Sequence, residues 1–116
     1  MEQDKKKQLT LKYKQVQRLT KEYNSYKKEE DKIKEKIKKE EESNVEEYYI
    51  NKSKEFLTEA KQTKAAVRAK LRGYLDELIS YFNEVYTPDF EENEEIKVSK
   101  EIISNGSMVF NENEEE

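Results

Sequence analysis

From Leu9 to Ile37 the apolar residues recur every three or four positions, and this spacing predicts one long amphipathic helix rather than strands. With Leu9 at heptad position a, the a row reads Leu9, Val16, Tyr23, Glu30 and Ile37, and the d row Lys12, Leu19, Tyr26, Ile33 and Glu40. Neither Gly nor Pro interrupts the segment, so a helix is predicted over 9–42, with polar residues 1–8 frayed ahead of it. The stretch Val16–Tyr26 organises this helix. Its stripe of Val16, Leu19, Tyr23 and Tyr26 is narrow and needs a second helix to lie against.

That second helix is predicted over 45–86. Leu57, Ala60, Lys64, Val67, Leu71, Tyr74, Leu78, Tyr81 and Val85 step by three and four residues, and only Lys64 is polar. Ser43 and Asn44, each followed three residues on by a glutamate, have the capping-box spacing that places the turn near 42–48. Gly73 inside the stripe costs about 1 kcal/mol relative to Ala, so it is expected to mark a close contact or a slight bend. From Leu71 onward Leu75, Ile79, Phe82 and Tyr86 add a second apolar row, and the wider face calls for another neighbour. In an antiparallel pair residue i opposes roughly residue 90 − i, setting Val16 by Tyr74, Leu19 by Leu71 and Tyr23 by Val67.

The neighbour follows at once. Thr87-Pro88-Asp89 joins a hydroxyl cap, a first-turn proline and an acid, while Asn105-Gly106 supplies a stop, predicting a third helix over 88–104. It is half the length of the others and should cover only the end near the termini, leaving the Ser43 turn as a two-helix tip. The expected fold is all-α: an elongated antiparallel three-helix bundle with left-handed coiled-coil-like packing, one domain over 1–106. Residues 107–116 are read as an acidic disordered tail, the alternative being that Met108, Val109 and Phe110 dock on the bundle end.

Composition changes this picture little. Charged residues make up 43% and hydrophobic ones 33%, a balance shared by coiled coils and disordered chains, and the periodicity decides for helices. The net charge of -4 is uneven: residues 1–42 carry +4, residues 43–86 carry 0 and residues 87–116 carry -8. The absence of Cys and His excludes disulfides, thiolate nucleophiles, histidine bases and zinc sites built on those ligands. No cofactor is expected. With no apolar run of membrane-spanning length and no signal-peptide core in M-E-Q-D-K-K-K, a cytoplasmic address is expected, with no membrane partner.

The features that resemble chemistry have plainer readings. Glu29-Glu30-Asp31, Glu40-Glu41-Glu42 and Glu91-Glu92 lack a concave site to shift their pKa values and read as solvated helix faces. The lysines at 5–7, 27–28, 32, 34, 36 and 38–39 have acids mixed among them, which suits intrahelical ion pairs better than nucleic acid. Glu30 and Lys64 intrude on the two stripes and are expected to pair across the helices, fixing register. Tyr23, Tyr26, Tyr74 and Tyr81 fall on the seam. Tyr13, Tyr48 and Tyr49 are better interface candidates.

With the helices placed, V-Q-R-L-T-K-E at 16–22, Y-Y-I-N-K-S-K-E-F-L at 48–57 and K-L-R-G-Y-L-D-E-L at 70–78 resemble the tubulin-binding cofactor A family, over roughly residues 9–104. Familiar members carry a proline where this chain has Ala65 and tend to have Asp at the position of Tyr49; the acidic tail has no clear counterpart. The resemblance implies a non-enzymatic tubulin chaperone, cytoplasmic and cytoskeleton-associated, that holds β-tubulin during folding and heterodimer assembly without nucleotide hydrolysis. It implies partner contacts through Arg18, Lys21, Glu22, Lys52 and Glu55. The alternative is a structural coiled-coil adaptor or oligomerisation subunit of a larger assembly. The chain itself is expected to be a monomer or weak homodimer.

Overall fold

In the computed structural model, which describes residues 1–111, the chain folds as three α-helices with no strand among the described residues. They are α1 (Gln3–Glu42), α2 (Glu47–Val85) and α3 (Glu94–Asn111), with a short 3-10 turn at Pro88–Phe90 before α3. The all-α expectation holds, and the element boundaries differ in instructive ways.

The first turns of α1 are helical rather than frayed. Leu9 is completely buried and pins them, and Asp4 places a negative charge where the helix dipole favours it.

At the other end of α1, Ser43 N–H donates to the Lys39 carbonyl at 3.0 Å, Asn44 N–H to Glu41 at 3.4 Å, and Val45 N–H to Glu40 at 3.1 Å. With Asn44 at φ 55, these bonds form a Schellman motif, in which a left-handed residue lets the chain satisfy the last carbonyls. Ser43 and Asn44 therefore close α1 instead of capping α2. The first turn of α2 bonds to the Glu46 carbonyl, from Tyr49 N–H at 3.0 Å and Ile50 N–H at 3.3 Å. The spacing was right for a cap, but a turn this short leaves Asn44 to end one helix before it can begin the next.

The start of the third helix also moves. Thr87, extended at φ -137 and ψ 157 as a residue before proline tends to be, makes no side-chain cap, and Pro88–Phe90 form only the 3-10 turn. Asn93 is the cap instead: its Oδ1 accepts the Glu95 N–H at 3.0 Å, and its carbonyl accepts Lys97 N–H at 3.1 Å. At the far end Gly106 does not stop α3. A Cβ there would lie 3.3 Å from Val16 Cγ1 and 3.4 Å from Leu75 Cδ1, so the bare glycine lets α3 approach both long helices. Continuing the helix buries Val109 and lays the Phe110 ring 4.7 Å from the Arg68 guanidinium and 4.6 Å from that of Arg72. The expected disordered tail is thus helical over 107–111, and its remainder, 112–116, lies outside the described residues.

The contacts gather into two compact units. The first contains Met1–Lys21 and the chain from Arg68 on. Its core joins Leu9, Val16 and Leu19 of α1, Leu71, Leu75, Leu78 and Val85 of α2, and Ile96, Ile102 and Val109 of α3. Each large aliphatic side chain so removed from water contributes about 1.5–3 kcal/mol. Ser99 is fully buried among them with its hydroxyl donated to the Glu95 carbonyl at 2.6 Å, so that polar atom is satisfied.

The second unit, Glu22–Val67, is a two-helix pair with a thinner core of Tyr23, Ile37, Ala60 and Val67. Two of its buried residues are charged, Glu30 and Lys64, and a third, Ser53, donates to Glu40 Oε1 at 2.7 Å. The contacts Glu30 to Lys64, Glu40 to Ser53 and Glu41 to Lys54 make the partner of residue i fall between 93 − i and 95 − i, later than the expected 90 − i. Side-chain direction accounts for the offset. Every Cα–Cβ bond tilts toward its helix N-terminus, which is away from the turn on α1 and toward it on α2.

Gly73, expected to mark a close contact or bend, is exposed in the middle of α2 with nothing within 4 Å of a built Cβ. Ala65, where familiar members carry proline, is also exposed, in the unbroken stretch of α2.

Candidate functional site

A side chain two positions from a buried helical residue is rotated about 200° from it and must point outward. Arg18 stands in that relation to Val16, and Lys21 to Leu19, and both are exposed on the first unit. Glu22, Lys52 and Glu55 are exposed on the second unit. The structure brings two of the five together. Lys52 Nζ lies 3.5 Å from Glu55 Oε2 and 5.7 Å from the centre of the Tyr48 ring, one turn N-terminal. Such an exposed pair adds little stability and leaves both charges available to a partner.

Tyr48 and Tyr49, singled out in sequence as interface candidates, are 56% and 58% exposed, with ring centres 5.3 Å apart. Tyr13 is half-buried and offers less. Of the seam tyrosines, Tyr23 is buried while Tyr26, Tyr74 and Tyr81 are half-buried.

Phe56 was missed in sequence. It is 55% exposed and lines a groove of about 350 Å³ in the second unit with Tyr26, Ile33 and Ala60, rimmed by Glu29, Lys36 and Glu59. The available signal was its place one residue before Leu57, off the apolar stripe of α2. An aromatic ring left in water there is a feature of binding surfaces.

Inside the same unit Glu30 Oε2 accepts from Lys64 Nζ at 2.6 Å, and Glu30 Oε1 lies 3.4 Å from Lys34. Burial pushes the Glu30 carboxyl up, but the hydrogen bond and charge of Lys64, joined by those of Lys34, outweigh it and hold the pKa below the usual carboxylate range.

A second cluster sits on the first unit. The Tyr86 hydroxyl and the Lys100 ammonium both donate to the exposed Glu91 carboxylate, and Phe82 stacks on Tyr86 with ring centres 5.3 Å apart. Glu91 is lowered by Lys100 and then by Tyr86, while Tyr86 and Lys100 are raised by Glu91. The cluster is an open surface network linking the end of α2, the 3-10 turn and α3.

Among the described residues no three acidic, His or Cys side chains are placed to hold a metal ion, and no helix is long and apolar enough to cross a membrane. The geometry also offers charged, outward-facing helix positions and an aromatic groove in the second unit.

The family model for tubulin binding cofactor A matches residues 4–103 of the chain. The crystal structure of tubulin folding cofactor A from Arabidopsis thaliana is similar with a TM-score of 0.82, covering 92% of this chain and 99% of that one. At 20% sequence identity this likeness is one of fold. No curated protein matches by sequence. On the strength of a family match that spans most of its length, the chain belongs to the tubulin binding cofactor A family.

Proposed function

We propose that the chain is a tubulin-folding cofactor that binds β-tubulin and holds it between folding and heterodimer assembly, in the cytoplasm alongside the cytoskeleton and without consuming nucleotide. The observation that carries this reading is the family match over residues 4–103. The surface supports it, since a holder of an unpaired subunit needs exposed contact area rather than an active-site cleft. Arg18, Lys21, Glu22, Lys52 and Glu55 supply accessible charge for that contact, and Tyr48, Tyr49 and Phe56 supply accessible rings.

The test is retention of purified β-tubulin by the immobilised full chain over a salt series. Bound β-tubulin is expected, and a variant with Arg18, Lys21 and Glu22 replaced by Ala should bind roughly tenfold more weakly at unchanged thermal stability. If β-tubulin stays in the unbound fraction at every salt concentration, the reading fails.

A second reading, a helical adaptor that assembles through its two-helix unit, draws on the exposed Phe56 groove. Light scattering separates the two: a 14.0 kDa monomer at working concentration disfavours self-assembly.

A further inference from the structure

The Ser43 spacing that resembles a capping box serves no cap in the folded chain. The hydroxyl is exposed between α1 and α2, Asn44 takes the left-handed position, and α2 begins on the Glu46 carbonyl. Around it the chain reads E-E-E-S-N-V-E-E, with acids at the three preceding positions and at the third and fourth following ones. That distribution of charge suits a kinase whose basic pocket reads an acid three residues beyond the target hydroxyl.

A second feature points to where the phosphate goes. Lys32, Lys36 and Lys39 lie on one face of α1, Ser43 follows Lys39 by four residues just past its end, and all four line a groove of about 520 Å³ with Glu35 and Glu40. Glu40 is already engaged by the Ser53 hydroxyl across the pair. Among the described residues none of the three lysines is held in an ion pair. The Ser53 bond leaves Glu40 charged, and the groove still holds three lysines against the two carboxylates of Glu35 and Glu40.

We propose that Ser43 is a phosphorylation site for an acid-directed serine/threonine kinase, and that Lys39 and Lys36 receive the phosphate. The Ser43 Oγ attacks the γ-phosphorus of ATP. The new O–P bond replaces the bond to the β–γ bridging oxygen, ADP leaves with that electron pair, and the hydroxyl proton passes to the kinase's base. The product carries nearly two negative charges one turn beyond Lys39, at the spacing where helical ion pairs form. The modification turns the small positive excess of this face negative and sets the phosphate one turn from Lys39.

The test incubates the full chain with such a kinase and magnesium ATP, its activity verified on a generic acidic peptide. One phosphate per chain is expected, mapped to Ser43, absent in S43A and added roughly tenfold more slowly in E46Q/E47Q. Phosphorus NMR should place the second phosphate pKa about half a unit lower in the wild type than in K36Q/K39Q. An active kinase that leaves the chain unmodified, or modifies another residue, overturns the site. Equal phosphate pKa values in the two proteins overturn the lysine assignment.

Discussion

Lys64 Nζ sits 2.6 Å from Glu30 Oε2 inside the two-helix unit, with only 11% and 4% of the two side chains exposed. Taking two charges out of water costs about as much as their attraction returns, so the pair adds little stability over apolar residues of the same size. Removing one member is another matter. K64M should destabilise the chain by about 2–4 kcal/mol, because it leaves the Glu30 carboxylate buried with the half-exposed Lys34 at 3.4 Å in place of its close partner. E30L/K64L should be neutral or gain up to about 3 kcal/mol, and urea denaturation of the single and double variants gives both values.

The same pair predicts how stability depends on acid. The folded pKa of Glu30 is depressed, so its contribution is fully present above the ordinary glutamate value of about 4.3 and is lost as pH falls from there through the lowered folded value. Between neutral pH and about 5 the wild type should show no Glu30-dependent change. Below that window its stability should fall more steeply than that of E30Q, which carries no titrating group at this position. Parallel slopes for the two proteins in acid would show that Glu30 is not preferentially charged in the native state.

The two glycines should respond in opposite directions. G73A fills open space on an exposed helical surface and should stabilise the chain by about 0.5–1 kcal/mol through helix propensity. G106V places a branched side chain where a Cβ alone would lie 3.3 Å from Val16 and should cost about 1–3 kcal/mol or more by overpacking. Thermal melts of the two variants against the wild type decide the matter.

Asn44 holds φ 55, and it is the one non-glycine residue with positive φ among those described. N44A should cost about 0.5–1 kcal/mol because Ala, which carries the same Cβ but no short polar group to bond locally, visits that conformation less readily than Asn, whereas N44G, with no Cβ, should match the wild type or improve on it. Losses of equal size in both variants would place the contribution of Asn44 in its side chain instead.

Much of this architecture is legible from periodicity. Every a position of the first heptad register, including the polar Glu30, is buried, and the cross-helix pairing of Glu30 with Lys64 follows from two charges interrupting two stripes. The misreadings concern terminations and offsets. Asn105-Gly106 reads as a stop only while the glycine is considered alone; its packing against Val16 and Leu75, far away in sequence, keeps α3 going. Thr87-Pro88 has every local mark of a helix start, yet Asn93 supplies the cap. Spacing alone carries no record of Cβ tilt, which moves side-chain pairing several residues along. The outward charges Arg18, Lys21, Glu22, Lys52 and Glu55 were readable as exposed positions, and the groove at Phe56 emerged only once the faces of both helices were known.

The tight closure at Asn44 makes the second unit a device that counts residues. One residue inserted inside the first turns of α2, between Glu47 and Ser53, would turn the rest of the helix by about 100° about its axis and carry Lys64 and Ser53 away from Glu30 and Glu40 together. An insertion of seven residues within a helix would restore the facing to within about 20°. Drift in this hairpin should therefore be far freer in the identity of its outer residues than in their number. A gap in its length would unseat two polar contacts at once, whereas most surface exchanges would disturb neither.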